Sequence, residues 1–284
     1  MKTVIITFLL GMTLSLTPLH AQTKTLSINP VINDNYAYCI ELLKLALANS
    51  GSDYRFETVD ASGSQSREIQ DLLDGRIDVI WIGTSTEIEA QLKPIRVPLY
   101  RGLLGHRIFI IREGDQARFD RVQTLADLQK ISIGQGRTWV DTNILEANGF
   151  TVEKSSKYPG LFHMLDGGRF DAFSRGVHEP WGELSTNSEL PLTVEKRLAV
   201  IYRLPMYFFV NPKSTELAED IERGLYTMIE NGEFDRFFYN NEMIRDTLEQ
   251  ANLQQRLLFH LDNPYLPAST PVDQPELWFD VSAL

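Results

Sequence analysis

The chain has 284 residues, with 38 acidic against 27 basic side chains, a net charge of −11 and one cysteine. An apolar share of 43 % beside 23 % charged residues is the mix of a folded globular protein, and the length suits two compact lobes or one large domain. The acidic balance disfavours nucleic acid and anionic membrane surfaces as partners, and the lone Cys39 excludes an intrachain disulfide and any paired-cysteine metal motif.

The chain opens on Lys2, an apolar run over residues 4–16, and then Pro18, Leu19, His20 and Ala21. A basic start, a short apolar stretch and a small residue predict a secretory signal peptide over residues 1–21, cleaved after Ala21. The run is too short, and too interrupted by Thr and Gly, for a membrane span. The mature protein is therefore expected in a periplasm. Cys39 lies far from the cleavage point and reads as a small buried residue on a helix.

Beyond the leader, Thr25-Leu26-Ser27-Ile28 predicts a strand. Asn33 and Asp34 offer caps for a helix to about residue 49, with Tyr36, Ile40, Leu43 and Leu47 on its core face. Residues 54–59 alternate as a strand. Ser64 or Ser66 caps a second helix with Ile69, Leu72 and Leu73 inward, Gly75 stops it, and residues 78–82 form a buried strand. The same β-α-β-α-β order returns with a strand at 130–133, helices at 138–148 and 160–165, and strands at 150–153 and 170–174. Leu73-Asp74-Gly75-Arg76-Ile77-Asp78-Val79 parallels Leu165-Asp166-Gly167-Gly168-Arg169-Phe170-Asp171-Ala172, with one extra glycine. Ser27-Ile28 likewise parallels Ser132-Ile133. Two strand-rich crossings near 105–112 and 200–210 follow the two units. Helices are expected at 215–230, 234–240 and 243–252, then a proline-containing tail lying extended over a lobe.

Four stretches resemble the family 3 extracellular solute-binding proteins, the periplasmic receptors of amino-acid-type ABC transporters. They are Val97-Pro98-Leu99-Tyr100, Thr124-Leu125-Ala126-Asp127-Leu128, Gly168-Arg169-Phe170-Asp171-Ala172 and Asn231-Gly232-Glu233-Phe234-Asp235. The likeness covers about residues 24–240. It implies an α/β, two-lobed, type 2 periplasmic-binding-protein fold with two hinge strands and a ligand in the cleft. Lobe 1 would comprise residues 22–108 and 206–284, and lobe 2 residues 109–205. The family's amino-acid binders usually hold the ligand carboxylate with an Arg soon after the Gly-Thr-like turn of lobe 1. Here Gly83-Thr84-Ser85-Thr86-Glu87-Ile88 has none. Where an ammonium-holding Asp would follow the lobe 2 strand, Arg175 and Gly176 stand instead.

Ligands of open α/β sheets sit beyond the carboxyl ends of strands. That rule selects Tyr36 as an aromatic wall or a core residue, and Gly83, Thr84 and Ser85 as an anion cradle or a plain helix cap. It also selects Gln135, Gly136, Arg137, Thr138 and Trp139, where an Arg fork and a stacking ring come together. Arg175 with Glu179 leaves a buried strand, and Arg107 begins the first crossing. Three arginines in a concave site on an acidic protein hold an anion or balance carboxylates such as Glu179. The expected ligand is a small molecule with a carboxylate or other anionic group.

The sequence carries no Ser-His-Asp order, phosphate loop or His pair at metal-ligand spacing. No catalytic residue, cofactor or metal is expected. The reading is a monomeric, ligand-binding, non-enzymatic receptor that serves an ABC permease. A periplasmic protein presenting its ligand to a membrane sensor, and a dehydratase-like enzyme using Glu179 beside Arg175, are the alternatives.

Overall fold

The computed structural model describes residues 23–59 and 63–281. The expected signal peptide lies outside the described residues. In chain order, the first unit holds β1 (Lys24–Ile28), α1 (Asp34–Asn49), β2 (Tyr54–Thr58), α2 (Gln65–Leu73), β3 (Val79–Gly83), α3 (Thr86–Glu89) and β4 (Lys93–Ile95). The second holds β5 (His106–Arg112), α4 (Gln116–Phe119), α5 (Leu125–Leu128), β6 (Ile133–Gly136), α6 (Val140–Ala147), β7 (Val152–Ser155) and α7 (Tyr158–Asp166). It continues with β8 (Ala172–Gly176), α8 (Pro180–Thr186), β9 (Leu192–Val194) and β10 (Leu198–Ile201). The chain ends with β11 (Met206–Val210), α9 (Thr215–Glu230), α10 (Glu233–Asn240), α11 (Glu242–Ala251) and β12 (Leu257–His260). No helix among the described residues is long and apolar enough to cross a membrane.

Local chemistry accounts for the helix starts. The Asn33 side chain accepts from the Tyr36 N–H, satisfying one of the free donors at the head of α1. Ser85 does the same for Ile88 in α3, and Thr124 with Asp127 forms a reciprocal capping box on α5. The buried face of α1 is Tyr38, Cys39, Ile40, Leu42, Leu43, Ala46 and Leu47. Burial pushes the Cys39 thiol up to about 12. Tyr36 lies off this face, half-buried, so the core expectation for it gives way. In α2 only Leu72 of the expected apolar trio is fully buried; Leu73 is exposed, and Glu68 and Asp71 are buried instead.

β1 and β2 pair in parallel, and β3, β11 and β4 form an antiparallel trio with β11 central. A larger sheet runs β12-β10-β5-β8-β6-β7, with β9 pairing the far end of β5. The two units share their wiring. The Asp78 carboxylate accepts from the Ser27 N–H at 2.7 Å, and Asp171 accepts from the Ser132 N–H at 3.0 Å. In return the Asp78 and Asp171 N–H groups donate to the carbonyls of Ser27 and Ser132. Each aspartate fastens the strand after a helix to the strand that opens its β-α-β-α-β repeat, β1 in the first and β6 in the second. Gly75 and Gly168 turn the chain just before them, at φ +72° and +70°, a conformation that favours glycine.

The chain passes between the two groups of strands from β4 to β5 and from β10 to β11. At this double crossing the Tyr202 N–H donates to Gly105 O at 3.0 Å. A Cβ on Gly105 would fall 2.0 Å from the Tyr202 carbonyl oxygen, so only glycine lets the two segments touch there.

The end of the chain departs from expectation. β12 pairs in parallel with β10, so residues 257–260 extend the sheet built by β5–β10 rather than the first group. Arg256 fixes its start, donating to the carbonyls of Ala251, Glu195 and Leu198. The tail then comes back: the Thr86 N–H donates to Tyr265 O, and the Phe279 N–H donates to Arg101 O. Trp278 packs on Gly102, whose absent Cβ leaves room for the indole. Behind the crossing lies a cavity of about 700 Å³, bordered by His106, Tyr202, Arg203, His260, Trp278 and Phe279.

Candidate functional site

The larger cavity, about 860 Å³, opens between the two groups of strands. On one side α1, α2 and β3 contribute Tyr36, Glu68, Trp81 and Gly83. On the other, β5, β8, α6, α8 and the loops before the two helices contribute Arg107, Arg175, Trp139, Asp141, Glu179 and Glu183. Arg137 and Thr138 lie at its exposed rim.

Eight of the expected ligand contacts therefore meet in one cleft: Tyr36, Gly83, Arg107, Arg137, Thr138, Trp139, Arg175 and Glu179. Three do not line it. Ser85 is spent as the cap of α3, and the Thr84 hydroxyl donates to Glu89 at 2.8 Å. Gln135 is fully buried behind the cleft and donates to Ser174 O at 2.9 Å. These residues fall at the right strand ends, but the Thr84 and Ser85 hydroxyls and the Gln135 amide nitrogen turn to backbone and side-chain partners.

The buried arginines are already matched. The Arg175 guanidinium meets Glu179 at 2.9 Å and Glu183 through Nε at 2.8 Å. It also lies 4.8 Å from the centre of the Trp139 ring and 4.9 Å from that of Phe173. Burial opposes its charge, but Glu179 and Glu183 outweigh that cost and hold its pKa above the ordinary value. Arg107, 1 % exposed, donates to Leu104 O at 3.1 Å and Ser174 O at 2.8 Å. Asp141, 3.2 Å away, supplies its counter-charge. Tyr202 in turn donates to Asp141 at 2.5 Å, which ties the second crossing to the cleft floor. An Arg-based anion grip is thus not the arrangement found: the two cations balance protein carboxylates.

Glu68 stands differently. Its Oε1 accepts from the Tyr36 hydroxyl at 2.7 Å and from the Asn29 amide at 3.1 Å. It is 9 % exposed and makes no ion pair among the described residues. Burial raises its pKa, against the lowering effect of the Tyr36 hydrogen bond. The Tyr36 ring meets Trp81 edge-on at 5.0 Å, so carboxylate, phenol and indole form one continuous wall. His178 stacks on Tyr100 at 4.2 Å, and burial, with Arg107 and Arg175 nearby, pushes its pKa down to about 3. It is neutral at ordinary pH.

Glu68, Trp81, Asp141, His178 and Glu183 were not singled out in the sequence. Glu68 hid in an amphipathic helix, where one acid among many reads as a solvated face. Glu183 sits in the first turn of α8, the helix after the Arg175 strand, with no sequence signal strong enough to place it. Pro180 and Trp181, at the head of α8, were the available hint.

No protein-family model matches the chain, and no curated protein matches it. Solved structures do. An ancestral arginine-binding protein bound to arginine is 19 % identical, over 78 % of this chain and 99 % of that one, with a TM-score of 0.55. The amino acid ABC transporter substrate-binding protein AbpA of Streptococcus pneumoniae, bound to L-arginine, is 17 % identical over 81 % and 95 %, with a TM-score of 0.54. The periplasmic VFT2 domain of Bordetella pertussis BvgS is 15 % identical over 78 % and 93 %, with a TM-score of 0.60. At such identities the likeness is one of fold, and the fold is the two-lobed α/β architecture of type 2 periplasmic binding proteins.

Proposed function

We propose that the chain is a periplasmic solute receptor, exported with loss of residues 1–21, that captures a small molecule between two lobes for an ABC permease. Lobe 1 would hold residues 22–108 and most of 206–284, and lobe 2 residues 109–205 together with β12. The observation that carries this reading is the cleft, lined by Tyr36, Glu68 and Trp81 from one lobe, by Trp139 and Arg175 from the other, and by Arg107 at the first crossing between them. A ligand touching both lobes favours the closed form, because closure completes contacts the open form lacks. No step of chemistry is needed, and a ligand recovered unchanged after incubation is the expected result.

Binding to the folded state alone stabilises it by about 2.7 kcal/mol at a hundredfold excess over Kd. A thermal-shift panel of amino acids, amines and carboxylates, with arginine among the first, followed by small-angle scattering, tests capture. A stabilising ligand should also contract the protein; stabilisation without contraction by any panel member would overturn hinge closure. The similarity to a sensor-kinase periplasmic domain keeps a second reading in view, presentation of the ligand to a membrane sensor. Uptake of the labelled ligand by cells lacking this protein separates the two: loss of uptake supports transport, and unchanged uptake supports sensing.

A further inference from the structure

Resting on the capture reading, we propose that the ligand carries a cationic nitrogen, an amine or a guanidinium, and that Glu68 is its counter-ion, with Trp81 and Tyr36 as the flanking wall. The argument is one of charge placement. Four carboxylates line the buried part of the cleft, those of Glu68, Asp141, Glu179 and Glu183, against two buried cations, Arg107 and Arg175. Asp141 is committed to Arg107, and Glu179 and Glu183 to Arg175. Glu68 alone has only neutral donors, Tyr36 and Asn29. A carboxylate taken out of water without a cation is costly, and a bound cation removes that cost. Tyr36 and Trp81, joined edge to face, add ring faces suited to a cation close to Glu68.

Lobe 2 reinforces the polarity. The cage that would otherwise attract a cation there, Trp139 and Phe173 with Glu179 and Glu183, is filled by the protein's own Arg175. A ligand cation is thereby directed to the Glu68 wall. Arg107 and Arg175 are held by carboxylates, so an anionic group on the same ligand is drawn to the exposed rim, where Arg137 and Lys157 border the cleft. The shared chemistry is the cation; a simple amine and a basic amino acid both present it.

Calorimetry on the full chain with L-arginine, agmatine, L-citrulline and glutarate tests this. Citrulline keeps the shape of arginine without the side-chain charge, and agmatine keeps the guanidinium without the carboxylate. Arginine or agmatine should bind at least tenfold more tightly than citrulline, and Glu68→Gln should abolish that preference. The unliganded Glu68→Gln protein should melt no lower than wild type, because the neutral amide removes an uncompensated charge. Agmatine equal to arginine identifies an amine or guanidine receptor, and arginine far above agmatine an amino-acid receptor with the rim cations engaged; both support the proposal. An arginine or agmatine affinity unchanged in Glu68→Gln, or glutarate as the only ligand, would overturn it; citrulline equal to arginine but weakened in Glu68→Gln would place the α-ammonium that both carry on Glu68 and support it. Glutarate that binds and contracts the protein would do so while leaving the capture reading standing. Absence of contraction with every compound would remove both. Should Glu68→Gln fail to fold, Glu68→Asp, which keeps the charge but shortens its reach, should still lower cation affinity.

Discussion

At the scale of single residues, Arg175 is the clearest case of a site residue whose role changes once its neighbours are known. From sequence it reads as an anion grip or as the partner of Glu179; in the fold it neutralises both Glu179 and Glu183. Arg175→Ala would leave two carboxylates buried without a cation, so its first effect should be on folding, a loss of about 3–5 kcal/mol. Urea unfolding of the unliganded variant measures this; a wild-type midpoint would mean the cluster is solvated. The buried histidines set the acid limit. His178 is pushed down to about 3, and His106 to about 4, chiefly by burial. The unfolded chain takes up these protons near pH 6.5 and the folded one does not, so stability is complete above that pH and falls as acid is added. Each contributes a slope of up to about 1.4 kcal/mol per pH unit below 6. The raised carboxyls of Glu68 and Asp78 bind protons in the folded state and offset part of it. Unfolding at pH 7, 6 and 5 should show the decline, and His178→Gln should make it shallower.

At the scale of elements, the boundaries of α1 and α9 were legible, for α1 because the Asn33 cap, Gly51 and apolar spacing agree, and for α9 because a long amphipathic run is closed by Gly232. The second unit was legible in order but shifted in place: β6, β7 and β8 start two or three residues later than the alternation suggested. A short apolar run marks a strand without fixing which of its residues find pairing partners. The repeat was real in a more specific way than sequence showed, since Asp78 and Asp171 make the same bonds to Ser27 and Ser132. The site was half legible: strand ends nominate loops, but which polar atoms face the cleft depends on neighbours brought from far along the chain, as Thr84 and Gln135 illustrate. Helix contact is also set by what is missing. A Cβ on Gly224 of α9 would sit 1.8 Å from the Ala46 carbonyl oxygen of α1. Both are backbone-fixed, so neither yields cheaply. Gly224→Ala should cost at least about 1–3 kcal/mol through overpacking, read as a lowered Tm, whereas Gly51→Ala has open space and only the strain of its φ of +79° to bear.

At the scale of the whole molecule, the unanticipated pairing of β12 with β10 bears on how the protein comes to exist. β10 ends at Ile201, yet the partner that covers its outer edge is not reached until Leu257, with α9, α10 and α11 between them. A chain that emerges amino end first holds every other strand of that sheet before its border strand arrives. Until then β10 presents open N–H and C=O groups, the template on which a second chain can pair. Of the intervening helices, α9 packs on α1, β4 and β11, with α10 on α9 and α11 on α10, so that body must largely assemble before the border strand is delivered. Assembly is therefore interleaved rather than lobe by lobe. A chain ending at Arg256 should keep its helix content but self-associate through the uncovered edge, seen as concentration-dependent growth in light scattering, and a synthetic peptide of residues 257–281 should suppress that growth. A monodisperse truncated chain would mean that β10 needs no guard.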